Sequence, residues 1–309
     1  MGAEISFTNH IHISDITHEL GPLKFIGFND LTPEILNRIA EDKRVKWVQI
    51  DKPLPETAYH TIDGILEQRP DLYFRVFGID GNNHFDLSVL GSMPHLTNVR
   101  IEAHLRDDKD AVNIEYLCKL PNLTGLHLDL FDRRDYGFLD GISPNLEELI
   151  LNIDVMSGSA KYDCEQLLRF KNLRSLWLGK KAKKHLELIA ELPQLKSLSL
   201  CGIKVDNFDF LREIGLEKFA LLRCGSSDLS GLAGLETLKE LELWRIMKLE
   251  NIDFVSSLTN LEVLKLRDLK HITMLPNTDG LTKLSRIVLD NVPIDRDSLG
   301  ERERALAAI

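Results

Sequence analysis

Two pairs of residues stand at the spacing that puts side chains on one face of a strand. His10 and His12 are two apart, and paired imidazoles can begin a metal site. No third ligand is placed beside them by sequence, so they read as the surface of a terminal strand. His127 and Asp129 have the residue types of an acid–base pair, with Glu148 one unit further on. No nucleophile with its own activating group accompanies them. Asp80-Gly-Asn82-Asn-His84-Phe-Asp86 alternates ligand types like the start of a calcium loop. The positions that such a loop reserves for Gly and Glu hold Phe85 and Gly91, so the segment reads as a turn. Cys118, Cys164, Cys201 and Cys224 are scattered without a CxxC pair and read as small buried hydrophobes. Lys180-Lys-Ala-Lys-Lys184 is a basic run, either a solvated loop or a contact for an acidic partner. Met1-Gly2 with Ser6 fits the sparse myristoylation pattern, but no polybasic patch adjoins it and one acyl chain anchors only marginally. No phosphate loop, GxSxG elbow, kinase signature or HExxH occurs. The expectation is no catalytic residue, no metal and no cofactor.

The elements that carry these residues are ordinary in composition. Of 309 residues, 43% are apolar and 28% charged, enough to bury a core. Lys and Arg number 38 against 48 Asp and Glu, a formal net charge of −10. That balance argues against phosphate backbones as the target. No apolar run is long enough to span a bilayer. The first ten residues lack the basic and apolar regions of a secretory signal, so a cytoplasmic protein is expected.

A repeat organises the chain. Clear copies are Leu123-Thr-Gly-Leu126-His-Leu128, Leu146-Glu-Glu-Leu149-Ile-Leu151, Leu173-Arg-Ser-Leu176-Trp-Leu178 and Leu195-Lys-Ser-Leu198-Ser-Leu200. Leu216 to Leu221, Leu238 to Leu243, Leu261 to Leu266 and Leu284 to Leu289 continue the series. Looser copies begin at Leu23, Val45 and Leu96, and one near Leu72 to Gly78 has no clear register. From Leu96 on, first anchors are 27, 23, 27, 22, 21, 22, 23 and 23 residues apart. The last two anchors of each copy alternate with another residue, the period of a strand with one buried face. Helix-like runs follow at Pro33 to Ala40, Thr57 to Gln68, Ala111 to Cys118 and Cys164 to Phe170.

This LxxLxL spacing resembles the leucine-rich repeat superfamily, intracellular short-repeat type, whose period is roughly 20 to 29 residues. The resemblance implies an α/β fold: a right-handed solenoid, or horseshoe, with a parallel sheet on its concave face. It covers about residues 20 to 295 as about twelve repeats. Residues 1–20 are expected to form an N-terminal cap, with Ile5, Phe7, Ile11 and Ile13 on a strand, and 296–309 a C-terminal cap helix. No linker divides the chain, so a single domain is expected. The family usually has Asn or Cys three residues after the last strand leucine. Here those positions are His104, Phe131, Asp154, Lys181, Ile203, Cys224, Ile246, Leu269 and Val292. Only Cys224 fits, so packing is expected to replace the family's hydrogen-bond ladder.

If the anchors point inward, the residues around the last two anchors point outward. Trp47, Trp177 and Trp244 all fall at such positions. So do Arg100, Glu102, His127, Asp129, Glu148, Ser199, Glu242, Lys265 and Arg267. Twelve strands at roughly 4.8 Å would span about 50 Å, a surface suited to a folded protein. The reading is a non-enzymatic protein-binding module whose concave face takes a protein partner. It would act by occupancy, as an adaptor, an inhibitor or a toxin-neutralising immunity-like protein. The net charge favours a basic partner. The alternatives are a self-associating structural protein, at most a weak homodimer, and an enzyme with a site near His127 and Asp129. No nucleic acid and no membrane are expected as partners.

Overall fold

The computed structural model describes residues 9–20, 23–77, 85–103 and 113–307. Ile5, Phe7, His104 and most of the Asp80 to Asp86 turn lie outside the described residues. The chain divides into two compact units, residues 1–162 and 163–309.

The first unit carries β1 (His10–Ser14), β2 (His18–Leu20), β3 (Leu23–Gly27), β4 (Trp47–Ile50), β5 (Tyr73–Phe77), β6 (Asn98–Ala103), β7 (Gly125–Leu130) and β8 (Glu148–Ile153). Their order is β2-β3-β1-β4-β5-β6-β7-β8. All pairings are parallel except β2 with β3. β1 differs from the expected cap, because it does not lie outside the first repeat. It is inserted between β3 and β4 and pairs in parallel with both. The reason is its alternation: Ile11 and Ile13 are buried as in any repeat strand. Among the described residues the sheet edge is the three-residue β2, short enough to offer little template for further pairing. The ambiguous copy near Leu72 also resolves. Phe74 and Val76 pair with Val48 and Ile50, which sets Tyr73, Arg75 and Phe77 outward.

The second unit carries β9 (Ser175–Lys180), β10 (Ser197–Cys201), β11 (Lys218–Leu222), β12 (Glu240–Trp244), β13 (Val263–Arg267) and β14 (Arg286–Asp290). Neighbours in sequence are neighbours in the sheet, all parallel and in repeat register. Anchors such as Leu198, Leu200, Leu241, Leu243, Leu264 and Leu266 are fully buried.

Returns between strands are short. Among the described residues, only Pro33–Glu41 (α1) and Glu56–Gln68 (α2) are α-helical returns. Thr32 caps α1 by accepting from the Ile35 amide, and Pro33 takes a position needing no donor. The helix-like run at Cys164 is a 3₁₀ turn, Cys164–Arg169, and so is Ile114–Lys119. Several 3₁₀ turns begin the same way. Asp86, Asp135, Asp163, Asn207, Asp228 and Asn251 each accept the backbone N–H two residues on. This local bond gives the chain a tight corner before each return.

The expected loss of the asparagine ladder is met in two ways. In the second unit Gly202, Arg223, Arg245 and Asp268 adopt positive φ of 66, 53, 53 and 49°. Their amides donate to Leu222, Trp244, Arg267 and Asp290 carbonyls at 2.8, 2.7, 2.9 and 2.9 Å. Each coil is thus tied to the next by a backbone bond. Cys224, which matches the family position, donates its thiol to the Ile203 carbonyl at 2.9 Å. Ile203, Ile246 and Leu269 are fully buried at the equivalent positions. All four cysteines are free thiols.

Glu301–Ala307 (α3) folds back on the last coil. Arg302 Nη1 donates to the Thr278 carbonyl at 2.8 Å and Nη2 to the Leu281 carbonyl at 2.6 Å. Both carbonyls also accept a backbone amide, from Leu281 and Leu284, so Arg302 adds a second, charge-assisted bond to each and pins α3 against the preceding return. Arg302→Met is therefore expected to cost about 1–3 kcal/mol, read as a lowered urea midpoint with unchanged m-value.

Candidate functional site

In the first unit the outward positions make three rows across the strands. The middle row runs His12, Gln49, Arg75, Arg100, His127. Parallel strands stack like positions side by side, so Arg75 and Arg100 are direct neighbours. Like charges so placed repel. Glu102 answers both: its carboxylate is ion-paired with Arg75 and with Arg100. Burial opposes ionisation of Glu102, but the two guanidiniums outweigh it and hold its carboxyl below the ordinary glutamate range.

Trp47 lies within this cluster. The Arg75 and Arg100 guanidiniums sit 5.5 and 5.6 Å from its ring centre, and His10 stacks on it at 5.9 Å. Arg75 Nη1 donates to Gln49 Oε1 at 2.7 Å. That turns Gln49 Nε2 toward His12 Nε2, 3.1 Å away. An amide nitrogen donates, so His12 Nε2 accepts and the ring proton sits on Nδ1. Burial pushes the His12 pKa down to about 4, with His10 and Arg75 adding to the effect and Asp51 opposing it. The ring is neutral at pH 7.

His127 and Asp129, which share a face and have the residue types of an acid–base pair, do not meet. His127 Nε2 lies 2.6 Å from Glu148 Oε1 on the next strand. Asp129 accepts from Asn152 Nδ2 at 2.9 Å. The physical reason is distance: residues two apart on a strand are roughly 6.6 Å apart, adjacent strands about 4.8 Å. The Tyr73 ring lies 4.4 Å from the His127 ring, and its hydroxyl also meets Glu148. Burial, then the Glu148 charge, pushes the Tyr73 hydroxyl pKa well up. Gly125 makes room for Tyr73, since a Cβ there would stand 2.4 Å from the Tyr73 hydroxyl oxygen and from Asn98 Oδ1. His127 Nδ1 is buried, so the pair presents no open nitrogen to a substrate in this conformation. Several atoms of this face are buried without a hydrogen-bond partner among the described residues. They are His12 Nδ1, Trp47 Nε1, Asp51 Oδ1, Arg100 Nε, His127 Nδ1 and Asn152 Oδ1.

The second unit's outward face is built differently. Lys218 and Lys265 flank Glu240, and Lys265 and Arg267 flank Glu242. Exposed pairs of this kind contribute about 0–1 kcal/mol each. Trp244 Nε1 donates to Asp268 Oδ2 at 2.7 Å, and Arg223 lies 5.0 Å over its ring. Trp177 and Ser199 are in register, with Ser175, Gly179, Ser197, Cys201 and Ala220 around them. Trp177 is half-buried, and its side chain makes no hydrogen bond and no ring contact among the described residues.

The structure thus brings Trp47, Arg100 and Glu102 together, and joins His127 to Glu148. It gathers Glu242, Lys265 and Arg267, and sets Ser199 beside Trp177. Sequence reasoning missed Tyr73, Arg75, Gln49 and Gly125. The alternation Tyr-Phe-Arg-Val-Phe at 73–77 was the available signal for the first two. His10 and His12 share a face as expected, with ring centres 4.6 Å apart. No group of three or more His, Cys, Asp or Glu able to hold a metal occurs among the described residues.

The depressed His12 pKa has a consequence for stability. In the unfolded chain the ring takes a proton near its ordinary 6.5, in the folded chain only near 4. Between those values the unfolded state binds more protons, so stability is lost as pH falls through that window. A loss of about 2 kcal/mol is expected between pH 7 and pH 5. His12→Gln should remove that share of the dependence, measured by urea unfolding at both pH values.

No family model matches the sequence, and no curated protein matches it. Solved structures do resemble it. Internalin C2 of Listeria monocytogenes is 21% identical over 65% of this chain and 82% of its own, with a TM-score of 0.45. The internalin InlF of the same organism is 19% identical over 87% and 92%, TM-score 0.43. A leucine-rich-repeat protein of Leptospira interrogans is 16% identical over 89% and 84%, TM-score 0.44. Likeness at that level carries no argument about function. One inward-facing strand per repeat, parallel pairing in register and short 3₁₀ returns give this chain the leucine-rich-repeat fold.

Proposed function

We propose that this protein is a non-enzymatic binding module that takes a protein partner on the outward face of its sheet. The observation that carries the reading is Trp177. A half-buried indole on a floor of serine, alanine and glycine forgoes favourable burial and leaves its N–H unmet within the unit. Tryptophans set among small residues serve as interface anchors because they supply area and a donor at low entropic cost. The other two tryptophans are engaged already, Trp47 by histidine and arginines, Trp244 by Asp268 and Arg223. Trp244, Glu242, Lys265 and Arg267 then belong to the rim, where charge sets selectivity and on-rate. The buried unpartnered atoms around Trp47 and His127 add polar capacity on the first unit's face. Such a module acts by occupancy, as an adaptor, an inhibitor or a neutralising protein.

Affinity capture from the source lysate tests this directly. A protein retained by the wild type should be lost with Trp177→Glu, while the melting temperature stays nearly unchanged. Equal retention by both proteins would remove Trp177 as the anchor and, with it, this reading of the face.

A further inference from the structure

The charge of the chain is unevenly placed. Residues 1–162 hold 26 Asp and Glu against 15 Lys and Arg, whereas residues 163–309 hold 22 against 23. The acidity that favoured a basic partner therefore belongs to the first unit alone. Within the second unit, residues 169–204 hold nine Lys and Arg against two Glu. This is the stretch that surrounds Trp177.

The fold presents part of that charge deliberately. The Lys180–Lys184 run is the turn that closes β9. Ala182 at its centre is fully buried, and its amide donates to the Gly179 carbonyl at 3.1 Å. Pinning the alanine inward leaves Lys181 and Lys183 exposed, with no ion pair among the described residues. Lys184 is spoken for by Asp163 at 2.7 Å. Between Trp177 and this turn the outward position is Gly179, beside Cys201 on β10, so no bulky side chain intervenes. A recess of about 380 Å³ opens next to the turn, lined by Lys183, Leu186, Glu187 and Phe210 and by Lys204, which is ion-paired with Asp206.

We infer that the partner of the second unit is an acidic protein segment: an apolar side chain packs on Trp177, and its carboxylates sit on Lys181 and Lys183. This rests on the reading of Trp177 as an interface anchor. Exposed lysines on a near-neutral unit steer and select carboxylates, and the attraction is screened by salt. A single-stranded nucleic acid would also meet positive charge, but it gains most from successive aromatic platforms. On its β10 side Trp177 is followed by serine, cysteine and alanine and by no second aromatic ring.

The test uses the full chain carrying Trp47→Phe and Trp244→Phe, so that Trp177 alone reports by fluorescence. The probes are a Glu/Gly peptide with one central Leu, its Lys-for-Glu counterpart, and oligouridine. The acidic peptide should shift Trp177 emission and bind more weakly as salt rises. Lys181→Glu with Lys183→Glu should weaken it by about tenfold or more, given two pairs at up to about 1 kcal/mol each. Both lysines are exposed, so circular dichroism should not change. Tighter binding of the basic peptide or of oligouridine would overturn the inference, as would acidic binding indifferent to the two lysine changes. If no acidic peptide binds while Trp177→Glu still abolishes lysate capture, the acidic partner is wrong and the anchor stands. If lysate capture survives Trp177→Glu, the anchor itself has failed.

Discussion

No single coil of this chain can bury its own leucines. Two inward anchors and a short return leave each unit apolar on both flanks until another coil stacks against it. That requirement sets nearly everything else. Each return must bring the chain back to the same height, one strand spacing along. The Asx corners before the 3₁₀ turns and the left-handed residues after the strands do this with local bonds. The backbone amides of Gly202, Arg223, Arg245 and Asp268, each one residue before the position where the family places asparagine, then tie coil to coil. Because that tie uses backbone, the side chains there are free to be apolar, and Ile203, Ile246 and Leu269 extend the core instead.

Stacking has an electrostatic cost on the opposite face. Parallel strands in register place equivalent outward residues side by side, so charge of one sign in neighbouring repeats accumulates rather than alternates. The two units meet this in different ways. In the first, Arg75 and Arg100 are adjacent, and one carboxylate, Glu102, holds both. The guanidiniums then close over Trp47. In the second, Glu240 on β12 stands between Lys218 on β11 and Lys265 on β13, and Glu242 pairs with Lys265 and Arg267 on β13.

The architecture was legible because it depends on period alone. Anchors and alternation give strands, their faces and the outward positions without knowledge of any contact. β1 escaped that reasoning, since which gap a terminal strand fills is a tertiary choice that His-Ile-His-Ile-Ser cannot encode by itself. Site pairing was less legible for a related reason. His127 meets Glu148 rather than Asp129 because register across strands decides neighbours, and the sequence shows spacing along a strand more readily than across. Tyr73 and Arg75 were hidden by a first anchor, Leu72, that stands one residue too close to the next. The role of Gly125 depends on the reach of Tyr73 from two strands away.

These differences bear on which face is free to bind. A partner approaching Trp47 must first displace two arginines that are already neutralised, and so gains little beyond what the chain supplies to itself. A partner approaching Trp177 displaces no comparable contact, because the ring has none among the described residues. Binding energy is the difference between contacts made and contacts surrendered. By that measure a tryptophan left idle counts for more than one buried in its own network, and the small residues around Trp177 keep it idle.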